Sequence, residues 1–305
     1  MHSHPARVLV TGLAGFTGTY LRLTLERAGY EVHGTVRSGE LVDARHHRAE
    51  LTDVSALREV INRVVPLHVV HLAAISFVAH DDVASIYNAN IVGTHNLLSA
   101  LADSAATSSL KTVLLASSAN VYGNTTANPI RENEPYRPAN DYAVSKAAME
   151  QMAALWSTRL PITVVRPFNY TGAGQSIQFL IPKIVNAFAR REPSLELGNL
   201  DVHRDFSDVR DVVTAYAQLL EVSPCSTFNI CSERTHTLRE IISMVSELSD
   251  HQLDIQVNPK FVRANEVKTL CGSAEKLKTI VPGWGPRPLR DTLRWMLEAA
   301  RSGGA

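Results

Sequence analysis

Tyr142 and Lys146 lie four residues apart in a stretch with a helical pattern, and together they could form an acid–base pair. Residues i and i+4 share one face of a helix, so the phenol and the ammonium should point into the same space. A phenol ordinarily loses its proton only near pH ~10, and a neighbouring cation stabilises the phenolate. The spacing therefore favours an enzyme that transfers protons near neutral pH.

A glycine loop near the start of the chain could bind a dinucleotide. Gly12, Gly15 and Gly18 occur where an apolar run at 7–11 leads into a helical pattern at 15–28. Glycines let the backbone turn tightly and approach a diphosphate, and the N-terminus of the following helix attracts negative charge. The spacing G-x-x-G-x-x-G is one residue longer than the common dinucleotide fingerprint. The loop predicts a cofactor site after the first strand.

The residues just past the second predicted strand bear on which cofactor is used. An acid there would bind the ribose hydroxyls of NAD, whereas an arginine accommodates the extra phosphate of NADP. The chain has Arg37 at this point, and the next acid is Glu40. We therefore expect NADP(H), with NAD(H) as the alternative.

The elements that must position these residues alternate along the first half of the chain. Apolar runs predict strands at 7–11, 31–36, 68–72, 112–117 and 162–166, separated by helices at 15–28, 55–64, 87–101 and 142–156. This alternation predicts an α/β fold of the Rossmann type, a doubly wound parallel sheet with helices on both faces. We expect a dinucleotide domain at 1–168 to which 206–232 returns. A smaller, interleaved C-terminal lobe would comprise 169–205 and 233–305, with a helix opened by a capping box at Thr237.

Composition excludes several classes of function. Lys plus Arg and Asp plus Glu each number 30, so the chain lacks the basic excess of a nucleic-acid binder. It contains no run of 18 apolar residues, and residues 1–5 lack the apolar segment of a signal peptide. Three cysteines suit a reducing compartment, so we expect a cytoplasmic protein without a membrane partner. His68 and His71 are three apart on a strand and should face opposite sides, so no metal site is expected.

Seven motifs in order along the chain resemble the extended short-chain dehydrogenase/reductase family. They are TGLAGFTG at 11–18, HLAA at 71–74, NIVGT at 90–94, SSANVYG at 117–123, the Tyr142–Lys146 pair, RPFN at 166–169 and RDFSDV at 204–209. The resemblance implies that Ser118, Tyr142 and Lys146 are catalytic, with the Ser118 hydroxyl donating to a substrate carbonyl oxygen. It also implies a set of cofactor contacts. These are Gly12, Ala14, Gly15, Phe16, Thr17, Gly18, Arg37, Glu50, Leu51, Leu72, Ala73, Ala74, Asn90, Ala116, Tyr142 and Lys146.

Two segments of the C-terminal half are similar to those of GDP-sugar enzymes within this family. They are LELGNLDVHRDF at 195–206 and RANEV at 263–267. The similarity implies a GDP-sugar substrate, with arginines holding the diphosphate through paired hydrogen bonds. The implied substrate contacts are Ser76, Ser117, Ser118, Asn169, Lys183, Leu197, Gly198, Arg204, Arg263 and Glu266. The family also implies a homodimer formed through the helices near Asn90 and Tyr142.

Asn120 departs from the family's dehydratases, in which a glutamate at this position moves a proton during water elimination. An amide cannot ionise, so dehydration is disfavoured at this site. No cysteine precedes residue 225, which disfavours the fucose-forming branch that uses a cysteine and a histidine. We expect NAD(P)H-dependent reduction of the C4 ketone of a GDP-4-keto-6-deoxy-hexose. The alternatives are a nucleotide-sugar 4-epimerase with tightly bound NAD and an NADP-sensing regulator without catalysis.

Overall fold

The computed structural model describes residues 5–37, 43–76, 82–261 and 268–303 of the chain. These residues form two compact units. The first holds the described residues up to Gly123, together with Pro135–Pro167 and Val213–Phe228. The second holds Asn124–Glu134, Phe168–Val212 and the described residues from Asn229 onward. Each unit is described by itself below.

The strands and helices follow one another along the chain in largely alternating order. The strands are β1 (Arg7–Thr11), β2 (Glu31–Val36), β3 (His46–Arg48), β4 (His68–His71), β5 (Thr112–Ala116), β6 (Ile162–Pro167), β7 (Asn169–Thr171), β8 (Ser194–Leu197), β9 (His203–Asp208), β10 (Thr227–Ile230), β11 (Thr235–Thr237), β12 (Asp254–Val257) and β13 (Thr269–Leu270). The α-helices are α1 (Phe16–Arg27), α2 (Val54–Val64), α3 (Val83–Tyr87), α4 (Gly93–Ala102), α5 (Asp141–Ala154), α6 (Leu180–Ala189), α7 (Val209–Val222), α8 (Leu238–Ser249), α9 (Glu275–Ile280) and α10 (Leu289–Arg301).

The first unit is built on a seven-stranded sheet in the order β10-β6-β5-β4-β1-β2-β3. Strands β1 to β6 pair with their neighbours in parallel, as the alternation of strands and helices predicts. The strand order reverses between β1 and β4, where Thr11 lies opposite His71. In a doubly wound sheet, the crevice at such a reversal is where ligands bind. The sheet therefore places the residues after β1 and β4 at the site.

Helices α2, α4 and α5 contribute to one apolar core beside the sheet. Leu9, Val69 and Val113 are register partners on adjacent strands, and all three are fully buried in this core. Alternate residues of a strand share one face, which explains why these three side chains meet the same helices. Asp53 begins α2 by accepting a hydrogen bond from the Ala56 N–H at 2.9 Å.

The helix predicted at 87–101 is interrupted in the structure. Helix α3 leads into a π-helical turn, Asn88–Val92, and α4 begins only at Gly93. A π turn widens the backbone locally, and such turns are frequent at functional sites. Asn90 lies in this turn and is buried, so the irregular backbone carries a polar side chain into the interior. Sequence periodicity could not reveal the interruption because the residues on both sides are helical.

The second unit contains two smaller sheets and the helices that pack on them. β9 pairs with β7, β11 and β13, and β8 pairs with β12. Helices α6, α8 and α10 enclose a separate apolar core. The predicted capping box is present: Thr237 accepts from the Glu240 N–H at 3.2 Å, and Glu240 accepts from the Thr237 N–H at 2.8 Å.

The boundaries of the units differ in detail from the predicted division. The chain leaves the first unit after Pro167, one residue before the predicted 168. The returning segment is Val213–Phe228, shorter than the predicted 206–232, because β9 pairs with strands of the second unit. Residues Asn124–Glu134 also belong to the second unit. In the described part of the chain, no helix combines the length and the apolar character needed to span a membrane.

Candidate active site

The glycine loop is tightly packed at the point where the sheet order reverses. Gly12 follows β1 with φ of +74°, and a side-chain carbon on it would lie 2.9 Å from the Ala73 N. The Gly15 N–H donates to the Gly12 carbonyl at 3.0 Å, and Gly15 is the N-cap of α1. A side-chain carbon on Gly18 would lie 2.5 Å from the carbonyl oxygens of Gly12 and Leu13. Positions 12 and 18 therefore leave no room for a side chain, and the loop brings backbone and a helix N-terminus to the crevice, as a dinucleotide diphosphate requires.

His71 links the glycine loop to the π turn and carries no charge. Its Nδ1 lies 2.7 Å from Thr11 Oγ1 and its Nε2 lies 2.9 Å from Thr94 Oγ1. Thr94 donates its hydroxyl hydrogen to the Asn90 carbonyl at 2.8 Å, so His71 Nε2 must be the donor to Thr94. Nδ1 then accepts from Thr11. Burial and then the charge of Lys146 lower the pKa of His71 to about 3, which keeps this bridge neutral.

Asn90 connects the loop after β4 to α5 through its side-chain amide. Its Oδ1 accepts from the Ile75 N–H at 2.9 Å, and its Nδ2 donates to the Ile75 carbonyl at 3.1 Å. The same Nδ2 donates to Ser145 Oγ at 2.9 Å, and Ser145 donates to the Tyr142 carbonyl at 2.7 Å. Asn90 therefore fixes the turn of α5 that lies between Tyr142 and Lys146.

Lys146 is a buried cation beside the carboxyl end of β5, with 5% of the residue exposed. Its Nζ donates to the Ala116 carbonyl at the end of β5, at 2.7 Å. That contact uses one of three ammonium hydrogens and leaves two for other acceptors. Burial lowers the pKa of Lys146 to about 8, and the negative charge of Glu150 opposes this effect.

Ser118 and Tyr142 each lie at the start of a helical segment of the first unit. Ser118 caps the short 3₁₀ turn Ala119–Tyr122, and its Oγ accepts from the Asn120 N–H at 3.2 Å. Because that contact uses an oxygen lone pair, the hydroxyl hydrogen can donate elsewhere. Tyr142 lies in the first turn of α5, which Asn140 caps by accepting from the Ala143 N–H at 2.9 Å. Both site residues are buried.

Glu150 is a charged residue of this region that sequence reasoning missed. It lies one turn after Lys146 on α5 and accepts hydrogen bonds from Arg166 Nε at 3.0 Å and Nη2 at 2.7 Å. The Ser117 hydroxyl also donates to Glu150. The spacing Tyr142, Lys146, Glu150 was visible as a repeat of four on one helix face. The Ser117 hydroxyl, predicted to contact substrate, thus has a protein partner in this structure.

The remaining predicted cofactor residues lie along the carboxyl ends of β1, β2, β4 and β5 or in the loops that follow. Arg37 follows β2 and is exposed, and Glu50 is exposed before α2. Leu51 packs so closely on Gly93 that a side-chain carbon there would lie 2.7 Å from Leu51 Cβ. Ala14, Phe16, Thr17, Leu72, Ala73, Ala74 and Ala116 have exposed or partly exposed positions on these segments, and Ser76, predicted to contact substrate, is also exposed.

In the second unit, the predicted substrate residues fall into two groups, and the first lies around Phe261. Lys183 on α6 donates from Nζ to the Glu196 carbonyl at 3.0 Å and lies 5.1 Å from the ring centre of Phe261. A side-chain carbon on Gly198 would lie 2.6 Å from the Phe261 carbonyl oxygen. Leu197, at the end of β8, is buried beneath this group. The structure therefore gathers Lys183, Leu197 and Gly198 around Phe261, which the sequence did not indicate.

The second group lies at β9. Arg204 Nη1 donates to the His203 carbonyl at 3.0 Å, and Asn169 Nδ2 donates to the Asp205 carbonyl at 3.3 Å. Asp205 is fully buried and accepts from the Ser232 N–H at 2.8 Å and from its hydroxyl at 2.6 Å. Burial raises the pKa of Asp205 to about 6, and these hydrogen bonds oppose the rise. The predicted contacts Arg263 and Glu266 lie outside the described residues.

No group of three or more histidine, cysteine, aspartate or glutamate side chains in the described ranges could hold a metal ion. His68 and His71 are both buried, and the His71 ring is bridged by two threonines.

A parallel sheet whose order reverses beside a glycine loop defines the fold of a Rossmann-type dehydrogenase or reductase. Comparison with known families agrees: residues 9–294 match the family described as GDP-mannose 4,6 dehydratase. The chain therefore belongs to the GDP-mannose 4,6-dehydratase family of extended short-chain dehydrogenases/reductases. The match confirms the family predicted from the sequence, and the parallel sheet confirms the predicted α/β fold.

Two curated relatives are similar over most of the chain. One is GDP-6-deoxy-D-talose 4-dehydrogenase of Aggregatibacter actinomycetemcomitans, 34% identical over 277 residues, which cover 90% of this chain and 91% of the relative. The other is GDP-6-deoxy-D-mannose reductase of Pseudomonas aeruginosa, 34% identical over 304 residues, which cover 95% and 96%.

Two solved structures share the fold closely. A putative epimerase from Burkholderia cenocepacia J2315 superposes with a TM-score of 0.91 and 48% identity, over 98% of this chain and 100% of that one. The RMD protein of Pseudomonas aeruginosa, solved with NADPH, gives a TM-score of 0.86 and 33% identity, over 98% and 99%.

Proposed function

We propose that this protein reduces the C4 ketone of GDP-4-keto-6-deoxy-D-mannose with NADPH, giving GDP-D-rhamnose. The observation that carries the proposal is the turn that follows β5. Ser118 stands there as a hydroxyl donor, while Asn120 occupies the position at which a dehydratase needs an ionisable group. A site with Ser118, Tyr142 and Lys146 but no such group suits reduction of a ketone. The relatives at 34% identity, a reductase and a dehydrogenase of GDP-6-deoxy sugars, support this reading.

The residues of the chain have distinct tasks in this reaction. NADPH, when bound, supplies the hydride that C4 receives. Tyr142 gives its phenolic hydrogen to the C4 oxygen, so one O–H bond breaks on the tyrosine and one forms on the sugar. Ser118 donates a hydrogen bond to the same oxygen and stabilises its developing charge. The Lys146 ammonium stabilises the phenolate until water returns the proton, while its bond to Ala116 holds it in place.

The preference for NADPH rests on Arg37. It is exposed at the end of β2, next to the crevice between β1 and β4, and could pair with the ribose phosphate. The similar RMD protein was solved with NADPH. NADH remains a weaker alternative cofactor in this proposal. The glycine loop suits either dinucleotide because it contacts the diphosphate that both share.

The second unit would hold the GDP portion of the substrate. Arg204 and Arg263 would bind the diphosphate, Glu266 the ribose hydroxyls, and Asn169 and Lys183 further diphosphate or base oxygens. The described part of this set supports the proposal through Lys183, whose ammonium lies over Phe261 beside Gly198. A cation can bind the phosphate oxygens of a purine nucleotide, and a neighbouring aromatic ring can hold that cation in place.

We also propose a homodimer formed through α3, the π turn and α5. Val83, Val92 and Val144 are exposed on these segments, and Leu155, just past α5, is 80% exposed. Apolar side chains on exposed helices are typical of interfaces. The chain has a mass of 33.4 kDa, and sedimentation velocity should give a species of twice that mass. A monomer across micromolar concentrations would contradict this proposal.

A second candidate is a 4-epimerase that keeps NAD bound, since a putative epimerase from Burkholderia cenocepacia is 48% identical to this chain. Such an enzyme needs the same serine, tyrosine and lysine but consumes no external cofactor. The distinction is therefore a matter of net NADPH consumption and of what the purified protein carries.

The proposal is tested by incubating the protein with GDP-4-keto-6-deoxy-D-mannose and NADPH and identifying the sugar by NMR. We expect one NADPH oxidised for each GDP-D-rhamnose formed. A talose-type product would retain the reduction but reverse the face of C4 that receives hydride. Protein that carries NAD and interconverts GDP- or UDP-sugars without NADPH consumption would favour the epimerase. NADPH binding without turnover would favour a regulator, and either result would reject the reductase.

A further inference from the structure

We infer that Glu150 is a positioning residue, which holds the end of β5 on α5 and places a carboxylate one helical turn from the Lys146 ammonium for the proposed reduction. This inference rests on the proposed function. It is carried by a cluster of five polar side chains in the first unit, four of them buried and Tyr136 partly buried, which we call the Glu150 cluster: Ser117, Tyr122, Tyr136, Glu150 and Arg166.

The carboxylate of Glu150 is fully engaged. Its side chain is 3% exposed, and that of its ion-pair partner Arg166 is 5% exposed. Arg166 reaches both carboxylate oxygens, with its Nε 3.0 and 3.1 Å away and its Nη2 2.7 Å away. The Tyr136 hydroxyl donates to Oε2 at 2.9 Å, and the Ser117 hydroxyl donates to Oε1. A buried carboxylate that accepts this many hydrogen bonds is fixed in one orientation.

Arg166 is held as firmly as the carboxylate that it binds. Its Nη1 donates to the Tyr122 hydroxyl at 2.8 Å and its Nη2 to the Tyr136 hydroxyl at 2.9 Å. The guanidinium carbon lies 5.0 Å from the ring centre of each tyrosine. The positive charge thus stays with Glu150 and is turned toward two aromatic rings.

Helix α5 forms hydrogen bonds with two consecutive residues, the last of β5 and the one that follows it. Lys146 donates to the Ala116 carbonyl at 2.7 Å, and one turn later Glu150 accepts from the Ser117 hydroxyl. The next residue in the chain is Ser118. Since Tyr142 lies one turn before Lys146 on the same helix, this double contact sets the position of Ser118 relative to Tyr142. The Glu150 cluster therefore aligns the two hydroxyl groups that the reduction needs.

The charge of Glu150 also acts on Lys146. Tyr142 and Glu150 are its helical neighbours on α5, the Ala116 carbonyl faces it from β5, and neutral His71 approaches from β4. Arg166 lies on β6, beyond the carboxylate. Within this set the Glu150 charge opposes the effect of burial on the pKa of Lys146. Removing it leaves the Arg166 cation unbalanced, so both effects favour loss of the lysine proton.

The inference is tested by NMR titration of protein labelled with ¹³C-lysine, compared among the wild type, Glu150→Gln and Ser117→Ala. The chain has seven lysines, so the spectrum is simple, and Lys146→Arg identifies the Lys146 signal. We expect Glu150→Gln to lower the pKa of Lys146 by roughly 1 unit or more. Ser117→Ala keeps the charge and should leave this pKa nearly unchanged, while lowering kcat roughly tenfold through misplacement of Ser118. Glu59→Gln, which removes an exposed carboxylate paired with Arg63, is the control.

A Lys146 pKa that is the same in Glu150→Gln and wild type would overturn the inference. Should Glu150→Gln fold poorly, the double variant Glu150→Gln/Arg166→Met removes both charges, and the pKa should still fall, by a smaller amount. The titration requires no substrate, so it separates this inference from the proposed function. If the keto sugar is not reduced but the pKa shifts, the positioning role stands while the proposed reaction fails.

Discussion

Replacing Asn90 with alanine should destabilise the protein far more than an ordinary helix substitution. The change removes three hydrogen bonds of a buried amide: two to the backbone of Ile75 and one to Ser145 Oγ, at 2.9 to 3.1 Å. A net loss of about 1 kcal/mol for each bond, in a site that water enters poorly, gives a cost of about 3 kcal/mol. Alanine regains roughly 0.5 kcal/mol through its better helix propensity.

Asn96→Ala is the matched control for this prediction. Asn96 lies on α4 and is only half-buried, and within the described residues its side chain makes one hydrogen bond, from Nδ2 to the Leu51 carbonyl at 3.0 Å. Its replacement should cost about 1 kcal/mol, with the same gain in propensity. Urea unfolding followed by circular dichroism gives both differences from the same assay.

The same variant should also lose activity beyond its loss of stability. Asn90 holds Ser145, which lies between Tyr142 and Lys146 on α5. We expect kcat to fall roughly tenfold or more under conditions where the variant is fully folded, with a smaller change in the KM for NADPH. The reasoning is refuted if Asn90→Ala unfolds at the same urea concentration as Asn96→Ala and keeps the wild-type kcat.

Three further predictions follow from the site. Arg37→Ser should lower the ratio of kcat/KM for NADPH to kcat/KM for NADH by about 10- to 100-fold, because a charged hydrogen bond to the ribose phosphate is lost. Steady-state rates with both cofactors measure this ratio, and an unchanged ratio would show that Arg37 does not select the cofactor. The pKa of Lys146 lies near 8, below its usual 10.5, so kcat/KM for reduction should be level at lower pH and decline as pH rises through about 8; a flat profile to pH 10 would contradict a role for the ammonium. Gly123→Ala should prevent folding or sharply lower the melting temperature, because φ is +52° and the added carbon would lie 1.6 Å from the Arg137 carbonyl oxygen. Gly283→Ala, at φ of +84° with open space around it, measures the cost of backbone strain alone. Equal melting temperatures of the two variants would disprove the clash at Gly123.

Much of the first unit could be predicted because its strands are short apolar runs between helices. The runs at 7–11 and 31–36 match β1 and β2 in full, and 68–72 differs from β4 by one residue. β3 was missed because His46–Arg48 is polar and only three residues long. It forms by pairing with β2, and such a contact leaves no periodic signal in the sequence.

The candidate acid–base pair could be proposed from its spacing, but the residues that support it could not be predicted. Tyr142 and Lys146 repeat at four, which helix geometry alone interprets. The partners of Glu150 come from residues 117, 136 and 166, which only the sheet brings together. The tautomer and neutral state of His71 likewise depend on two threonines, 60 and 23 residues away in the chain. Sequence spacing could not reveal that the His71 ring bridges these two threonines.

The second unit was harder to predict because its strands are short and pair in two separate sheets. Lys183 and Gly198 were assigned to substrate by similarity, whereas their common neighbour Phe261 follows β12 and is brought close by the pairing of β8 with β12. The strand that carries Arg204, β9, was not predicted from the sequence.

Single-turnover hydride transfer in Tyr142→Phe tests the central claim most directly. The variant removes one hydroxyl from a buried ring, so NADPH affinity measured by fluorescence titration should stay close to that of the wild type. With GDP-4-keto-6-deoxy-D-mannose in excess, the rate of NADPH oxidation should fall by about 10²- to 10⁴-fold, the typical contribution of a general acid. Oxidation at the wild-type rate, with the same alcohol as product, would contradict the assignment of Tyr142 as the proton donor.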